Sequence, residues 1–454
     1  MIFKRKIYER LLQWKRESRG EKALLIEGAR RIGKSTIVEE FAKKEYKTYI
    51  LIDFNMAPKT VKEAFELYAN DLDTFFMILS AQYDVPLHRR ESLIIFDEIQ
   101  NYPKAREAVK YLVADGRYDY LETGSLISIK ENVADITLPS EERRIRMYPM
   151  DFEEFGWAMG ETEMLRYIQH CYEERKALDQ GLHSKAMMLF RQYLIVGGMP
   201  KPVSVYIENN RDFGKVDSEK RDILELYRSD IMKIKSNDRS KVLAIFDQIP
   251  AFLSKSERRV VLNSIEKNAT FPKYHDTFFW LADAMIVNEC FNCADPNVGL
   301  ALNEDRTYVK CYMGDTGLLV SAAFNENEIS DGELYRELLF GKLTTNEGMF
   351  YENAVSQMLV AAGHKLYFYT RYNREKHRND IEIDFLLSNN SKLKYKIYPV
   401  EVKSSPRYTI SSLTKFDRAF RERIGGSIVI HPKNLKEEGG ILYIPAYMTY
   451  CLRQ

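Results

Sequence analysis

The chain has 454 residues, of which 45% are apolar and 29% charged, and a formal net charge of +1. Such a length predicts about two to four domains, and the mixture is that of a soluble globular protein. The near-zero balance argues against a strongly basic nucleic-acid coat, though not against a local basic patch.

The chain opens on MIFKRKIYERLLQWKRE, which lacks the continuous apolar core of a signal peptide. No run of about 18 apolar residues follows anywhere, so no membrane span or membrane partner is expected. KALLIEG then reads as a short buried strand, and KSTIVEEFAKKEY reads as a helix with Ile37, Val38 and Phe41 on one face. TYILIDFN, SLIIFDEIQ and YDYLETGS are further strand candidates, separated by helical segments such as REAVKYLVADG, which Gly116 closes. Strands alternating with helices predict an α/β unit with a buried parallel sheet over residues 1–155.

Between the first strand and its helix lies GARRIGKS, Gly28 to Ser35, which fits GxxxxGK[ST] completely. The glycines let the backbone curl so that successive amides face phosphate oxygens, and the helix adds its positive end. Gly28, Arg30, Arg31, Gly33, Lys34, Ser35 and Thr36 are therefore expected to cradle ATP or ADP. Lys34 would reach the outer phosphates and the Ser35 hydroxyl would ligate Mg²⁺. LIIFDEIQ supplies the facing acids: Asp97 for the Mg²⁺ shell and Glu98 to orient or deprotonate water. Two adjacent carboxylates after an apolar strand are costly to bury unless a cation meets them. Thr123 or Ser125, at the end of the next strand, would place a polar tip near the water, although Ser125 reads equally well as a helix N-cap. In EERRIRMYP, Arg143, Arg144 and Arg146 form either a solvated basic strand edge or a source of an arginine finger, with Arg143 or Arg144 preferred. A finger is worth about 10³–10⁵ in rate where it operates.

Residues 156–235 read as mainly helical, and 236–330 mix helices with short strands such as TYVKCYM. A small winged-helix unit fits that middle stretch, which periodicity alone does not settle. The five cysteines, Cys171, Cys290, Cys293, Cys311 and Cys451, are too few and scattered for a disulfide framework, which points to a reducing cytoplasm. Cys290 and Cys293 form a lone CxxC with only Cys311 downstream, so ordinary thiols are preferred to a zinc site.

Residues 331–454 form a second α/β unit. The helix NEGMFYENAVSQMLVAAG ends at Gly363, and the strands KLYFYT, IEIDFLL, KIYPVEVKS and GSIVIH follow. Strand alternation puts Glu401 and Lys403 on one face, and a hairpin would bring Asp384 beside Glu401, with Glu352 completing the group. Two carboxylates at one edge hold a divalent metal, and a lysine beside them orients water. The plainer reading is a hairpin whose charges pair across strands, at about 0.2–1 kcal/mol per pair. Arg371, Tyr372, Arg374, Lys376, His377 and Arg378 precede the Asp384 strand as a basic loop, which is either a solvated charge run or a track for a phosphate backbone.

The P-loop GARRIGKST, the acid pair in FDEIQ, the TGS strand end and RIRMYPMDFEEF together resemble the AAA+ superfamily. They look most like prokaryotic ATPases that join an AAA domain to a C-terminal tail, and YMGDTGLL and GMFYENAV resemble stretches of that tail. The resemblance implies an ATPase core, a helical lid over 156–235, a winged-helix-like unit over 236–330 and a nuclease-like domain over 331–454. In the lid, Gly197-Gly198-Met199-Pro200 matches a GGxP element, which implies Gly198 and Pro200 against the adenine. Composition alone would make the same residues a helix-terminating turn. Glu352, Asp384 and Glu401-x-Lys403 look like the PD-(D/E)XK nuclease pattern, with Glu352, Asp384 and Glu401 as metal ligands. Two functions follow. One is a Mg²⁺-dependent ATPase coupled to DNA binding or processing through the tail. The other is an ATP-driven regulatory switch whose tail is a protein-binding scaffold without nuclease chemistry. Candidate partners are ATP, DNA, a protein docked on the middle unit and further copies of the chain. A small-molecule kinase ranks last, because such kinases lack this lid and tail.

Overall fold

The structure is a computed structural model and describes residues 1–125, 140–234, 238–255, 257–260, 271–324, 333–340, 347–373, 375, 378–389 and 396–453. The chain divides into two compact units, one of residues 1–148 with 283–285 and one of 149–282 with 286–454.

In the first unit, β1 (Ala23–Glu27), β2 (Thr48–Asp53), β3 (Ser92–Asp97), β4 (Asp119–Gly124) and β5 (Glu142–Arg146) make one sheet. Its order is β2-β3-β4-β1-β5, and every neighbouring pair is parallel. β1, β3 and β4 are buried along their whole length, as strands covered by helices on both faces must be. The helix Lys34–Glu45 buries Ile37, Val38 and Phe41, the face its spacing predicts. The helix Pro103–Asp115 starts on a proline, whose fixed φ suits a first turn, and ends at Gly116 with φ +70°. Beside the sheet, Phe65 packs edge-on to Phe75 at 4.9 Å between ring centroids, in a cluster with Phe54, Phe96 and Tyr102.

In the second unit, strands expected in the middle stretch and in the tail share a sheet. β6 (Val287–Cys293), β7 (Glu304–Met313), β8 (Leu366–Asn373) and β9 (Arg378–Ile383) lie in the order β7-β6-β8-β9. β6 runs parallel to β8, with Cys290 opposite Leu366, so the boundary expected at residue 330 falls between strands of one sheet. A second sheet holds β10 (Phe385–Asn389), β11 (Lys396–Val402), β12 (Ser427–His431), β13 (Lys436–Glu438) and β14 (Ile441–Pro445), in the order β10-β11-β12-β14-β13. β10 and β11 form the expected hairpin, with Phe385 opposite Val400. Helices occupy much of 152–254, as the lid composition predicts. Cys290, Cys293 and Cys311 are free and buried, and burial pushes their thiols up, Cys293 to about 11. No described helix is long and apolar enough to cross a membrane.

One charged group in the first unit was not visible in the sequence pattern. Arg106 is buried and grips Glu142 with two hydrogen bonds of 3.1 and 3.0 Å. Glu122, on β4, is fully buried 4.0 Å from the same guanidinium. Burial pushes the Glu122 carboxyl well up from 4.5, Glu142 reinforces this, and Arg106 and Arg144 oppose it. A carboxyl raised on folding binds its proton more tightly folded than unfolded. Its contribution is complete below the unfolded value and is lost as pH rises through the folded one. Glu122→Gln is therefore expected to raise the melting temperature at pH 8, with the gain shrinking as pH falls toward 5. Thermal melts across that range check this; a gain that grows toward acid would reject it.

Candidate functional site

The strand order places the C-terminal ends of β3, β4 and β1 side by side, where open α/β sheets bind ligands. The P-loop leaves β1 there. A Cβ at Gly28 would lie 2.6 Å from the Met147 carbonyl oxygen, so no larger residue fits. Gly33 takes φ +91° immediately before the helix, a conformation that favours glycine. Arg31 is also left-handed, at φ +67°, and exposed, as is Thr36; Arg30 is half-buried. The Lys34 ammonium is buried and donates to the Gly28 and Ala29 carbonyls at 3.0 and 2.9 Å. Burial pushes it down to about 8, while Glu98 and Asp97 pull it back up.

Across from the loop, the Ser35 hydroxyl donates to Asp97 Oδ1 at 2.9 Å. Thr123 at the end of β4 donates to the same oxygen. Ser125 lies buried just beyond β4. Glu98 has φ +53°, an uncommon conformation for a residue with a side chain and one that collects at functional sites. The turn is held by its own amide, which donates to Thr123 Oγ1 at 3.4 Å, and Gln100 hydrogen-bonds the Glu98 carboxylate. On edge strand β5, Arg143 pairs with Glu17 at 2.9 Å and Arg144 with Glu142 at 2.6 Å. Both arginines are exposed and held within their own unit.

Arg5 escaped sequence reasoning. It is buried and donates to the P-loop carbonyl of Ile32 at 2.9 Å and to that of Tyr148 at 2.6 Å. No motif marks it; the only signal is a charged N-terminal segment that has to pack somewhere. The hydroxyl and carboxylate oxygens of Ser35 and Asp97 are the hard donors Mg²⁺ prefers, and the Lys34 donors already face carbonyl oxygens, so the loop fits a magnesium nucleotide.

In the second unit, Gly197-Gly198 forms a turn after the helix Gln180–Val196, and Pro200 opens the helix Pro200–Glu208. The Gly198 amide donates to Asp315 Oδ2 at 2.5 Å, and its carbonyl accepts from the Met150 amide at 2.8 Å. A Cβ at Gly198 would lie 2.7 Å from the Met150 nitrogen. Gln357 donates to Asp315 at 3.2 Å and to the Met150 carbonyl at 3.3 Å.

The four tail residues meet. Asp384, just past β9, accepts from the Val402 amide at 2.8 Å, and Glu401 pairs with Lys403 at 3.0 Å. Burial pushes Glu401 up to about 7, Lys403 opposes this, and Asp384 adds to it. Glu352, on the fully buried face of the helix Glu347–Ala361, accepts from Tyr312 and pairs with Arg258. Lys310 on β7 stands among Glu352, Glu382 and Asp384 at 3.3, 3.6 and 3.7 Å. Sequence reasoning missed Glu382, Lys310 and Arg258; the available signals were the place of Glu382 two residues before Asp384 and the single charge in TYVKCYM, and Arg258 carried none. Among the described residues no three His, Cys, Asp or Glu side chains are grouped as metal ligands. The expected metal does not fit this arrangement, because the Lys310 ammonium already stands among Glu352, Glu382 and Asp384. Beside the cluster is a cavity of about 200 Å³ whose lining combines the aromatic Tyr308, Phe368 and Tyr372 with the acidic Glu257, Asp305 and Glu382. From the basic loop, Arg371 pairs with Asp380 at 3.1 Å. Arg374, Lys376 and His377 and the Arg378 side chain lie outside the described residues.

Residues 20–156 match the family model described as "AAA domain". Residues 187–328 match "Domain of unknown function (DUF8612)", and 347–448 match "Domain of unknown function (DUF4143)". With its parallel five-stranded sheet and P-loop, the first unit is a P-loop ATPase domain of the AAA type. A comparison with curated proteins finds no match. Among solved structures, the Saccharomyces cerevisiae Hsp104–ADP complex is similar at 12% identity and TM-score 0.28, over 79% of this chain and 44% of that one. The chain thus spans less than half the length of Hsp104. A point variant of Thermotoga maritima RuvB is similar at 11% identity and TM-score 0.28, over 65% of this chain and 90% of that one. The Drosophila ORC bound to DNA is similar at 13% identity and TM-score 0.25, over 70% and 94%. At such scores these likenesses decide no point of function.

Arg5→Ala would leave two carbonyls beside the P-loop without their donor, at about 1–3 kcal/mol for each that stays buried. A lower melting temperature and nucleotide binding weakened by roughly tenfold are expected, read by thermal melts and calorimetry with ADP. Parent-like values in both would remove Arg5 as the brace of the loop.

Proposed function

We propose that the chain is a Mg²⁺-dependent ATPase whose nucleotide cycle works a regulatory switch in the second unit. The observation that carries the ATPase reading is the 2.9 Å contact of Ser35 with Asp97, residues 62 apart in sequence. Ser35 and Asp97 would hold Mg²⁺, which when bound neutralises charge on the phosphates. Lys34 would exchange its loop carbonyls for phosphate oxygens, since the ammonium keeps its donors either way. The P-loop amides, with Gly28 and Gly33, orient the phosphates. Glu98 accepts a proton from water or orients it, Gln100 keeps that carboxylate turned, and Thr123 steadies Asp97. Adenine contacts of Gly198 and Pro200, an electrostatic role for Arg30 and Arg31, a polar tip at Ser125, and a finger in trans from Arg143 or Arg144 belong to the same proposal. So does assembly of several copies.

The switch reading is favoured by one chain of contacts. The Gly198 amide is bonded to Asp315, Asp315 to Gln357, and Gln357 shares its helix with Glu352 of the acid cluster. A shift of the glycine turn would thus bear on the tail, which serves as a scaffold for a protein partner. The second reading, a nuclease-like tail that binds and processes DNA, is supported by the meeting of Asp384, Glu401 and Lys403.

Lys34→Ala removes a charged donor worth about 1.5–3 kcal/mol, so nucleotide affinity should fall roughly 10- to 150-fold by calorimetry. Glu98→Gln should bind ATP as the parent does and turn it over about 10²–10⁴ times more slowly. Equal turnover in mutant and parent would take Glu98 out of the mechanism. For the tail, the switch reading expects no cutting of single- or double-stranded DNA with Mg²⁺ or Mn²⁺. Cutting that is abolished by Glu401→Ala with Lys403→Ala would instead establish the nuclease, and absent DNA binding at low salt would count against it.

A further inference from the structure

Lys310 lies in the middle of β7, and its side chain is 1% exposed. With its side chain so enclosed, its partners in this structure are internal. A charged ammonium out of water is tolerated only when it is paired and its donors are used. Here the ammonium stands 3.3 Å from Glu352, 3.6 Å from Glu382 and 3.7 Å from Asp384. The Phe368 ring closes another side, 5.2 Å from the nitrogen to the ring centroid. The three carboxylates come from two segments: Glu352 from the helix Glu347–Ala361, and Glu382 and Asp384 from β9 and the residue just past it. Without a cation between them they would repel one another at short range. Arg258 and Tyr312 hold another side of Glu352, and Lys403 holds Glu401, whereas the Lys310 ammonium lies within ion-pair distance of all three carboxylates.

We propose that the Lys310 ammonium is the resident cation of this acid cluster. It stands among these carboxylates in place of a divalent metal, so the tail folds without one. Removal of the ammonium would convert the same carboxylates into a divalent-cation site. The proposal needs no reading of the ATPase, and its test involves no nucleotide turnover.

The test is a titration of the nucleotide-free, full-length protein with Mn²⁺, reading free Mn²⁺ by electron paramagnetic resonance. Every arm carries Asp97→Asn, which removes the acid at the nucleotide site. With Lys310 present, no Mn²⁺ binding that depends on Asp384 is expected. Lys310→Met should bind one Mn²⁺ per chain at least tenfold more tightly, and adding Asp384→Asn should abolish that gain. Lys310→Arg keeps the charge and should bind no better than the lysine protein. A Lys310→Met chain that folds only when Mn²⁺ is supplied would support the proposal equally. Tight Mn²⁺ binding by the lysine protein that Asp384→Asn abolishes would overturn it. So would a folded Lys310→Met protein with no gain.

Discussion

A charge removed from water must meet an opposite charge, and both units are organised around that constraint. In the first, Lys34 is buried between loop carbonyls and the Asp97–Glu98 pair, and Arg106 is buried against Glu142. In the second, Lys310 is buried among three carboxylates, and Lys220 donates to the Ile195 carbonyl at 2.7 Å with Asp217 and Asp315 as its counter-charges. Leaving either member of such a pair alone is far worse than burying both. Each pair therefore pins together segments that hydrophobic contact alone would let slide.

The nucleotide site depends on this pinning. Strand order sets β1, β4 and β3 next to one another, so the loop after β1 faces the acid after β3 and the hydroxyl after β4. The left-handed turn at Glu98 costs conformational energy, and the hydrogen bonds from its amide and from Gln100 hold it in place. Gly28 has to be small because Met147, on the segment leaving β5, crosses it closely. The loop is thus shaped from outside its motif as much as from within, by Arg5 and by the chain at Met147.

In the second unit, one helix serves two neighbourhoods. Glu352 meets the acid cluster, while Asn353 bonds both the amide and the carbonyl of Met313, and Gln357 reaches Asp315. Buried polar groups that are hydrogen-bonded to several elements hold those elements stiffly in place. That stiffness is what lets a glycine turn and an acid cluster bear on the same element.

By itself the sequence determined whatever depends on local chemistry. The P-loop spacing, the apolar strands with acids at their ends, the helical face of Ile37, Val38 and Phe41, and the hairpin that brings Asp384 to Glu401 were all legible, because each follows from period, spacing or turn geometry within a few residues. Tertiary structure decided the long-range pairings. Period says nothing about which distant charge meets which, so Arg5 under the P-loop, Arg106 behind β4, and Lys310 at the centre of the tail's carboxylates came only with the fold. The pairing of β6 with β8 is of the same kind, because a parallel partner lies far along the chain and local sequence does not identify it.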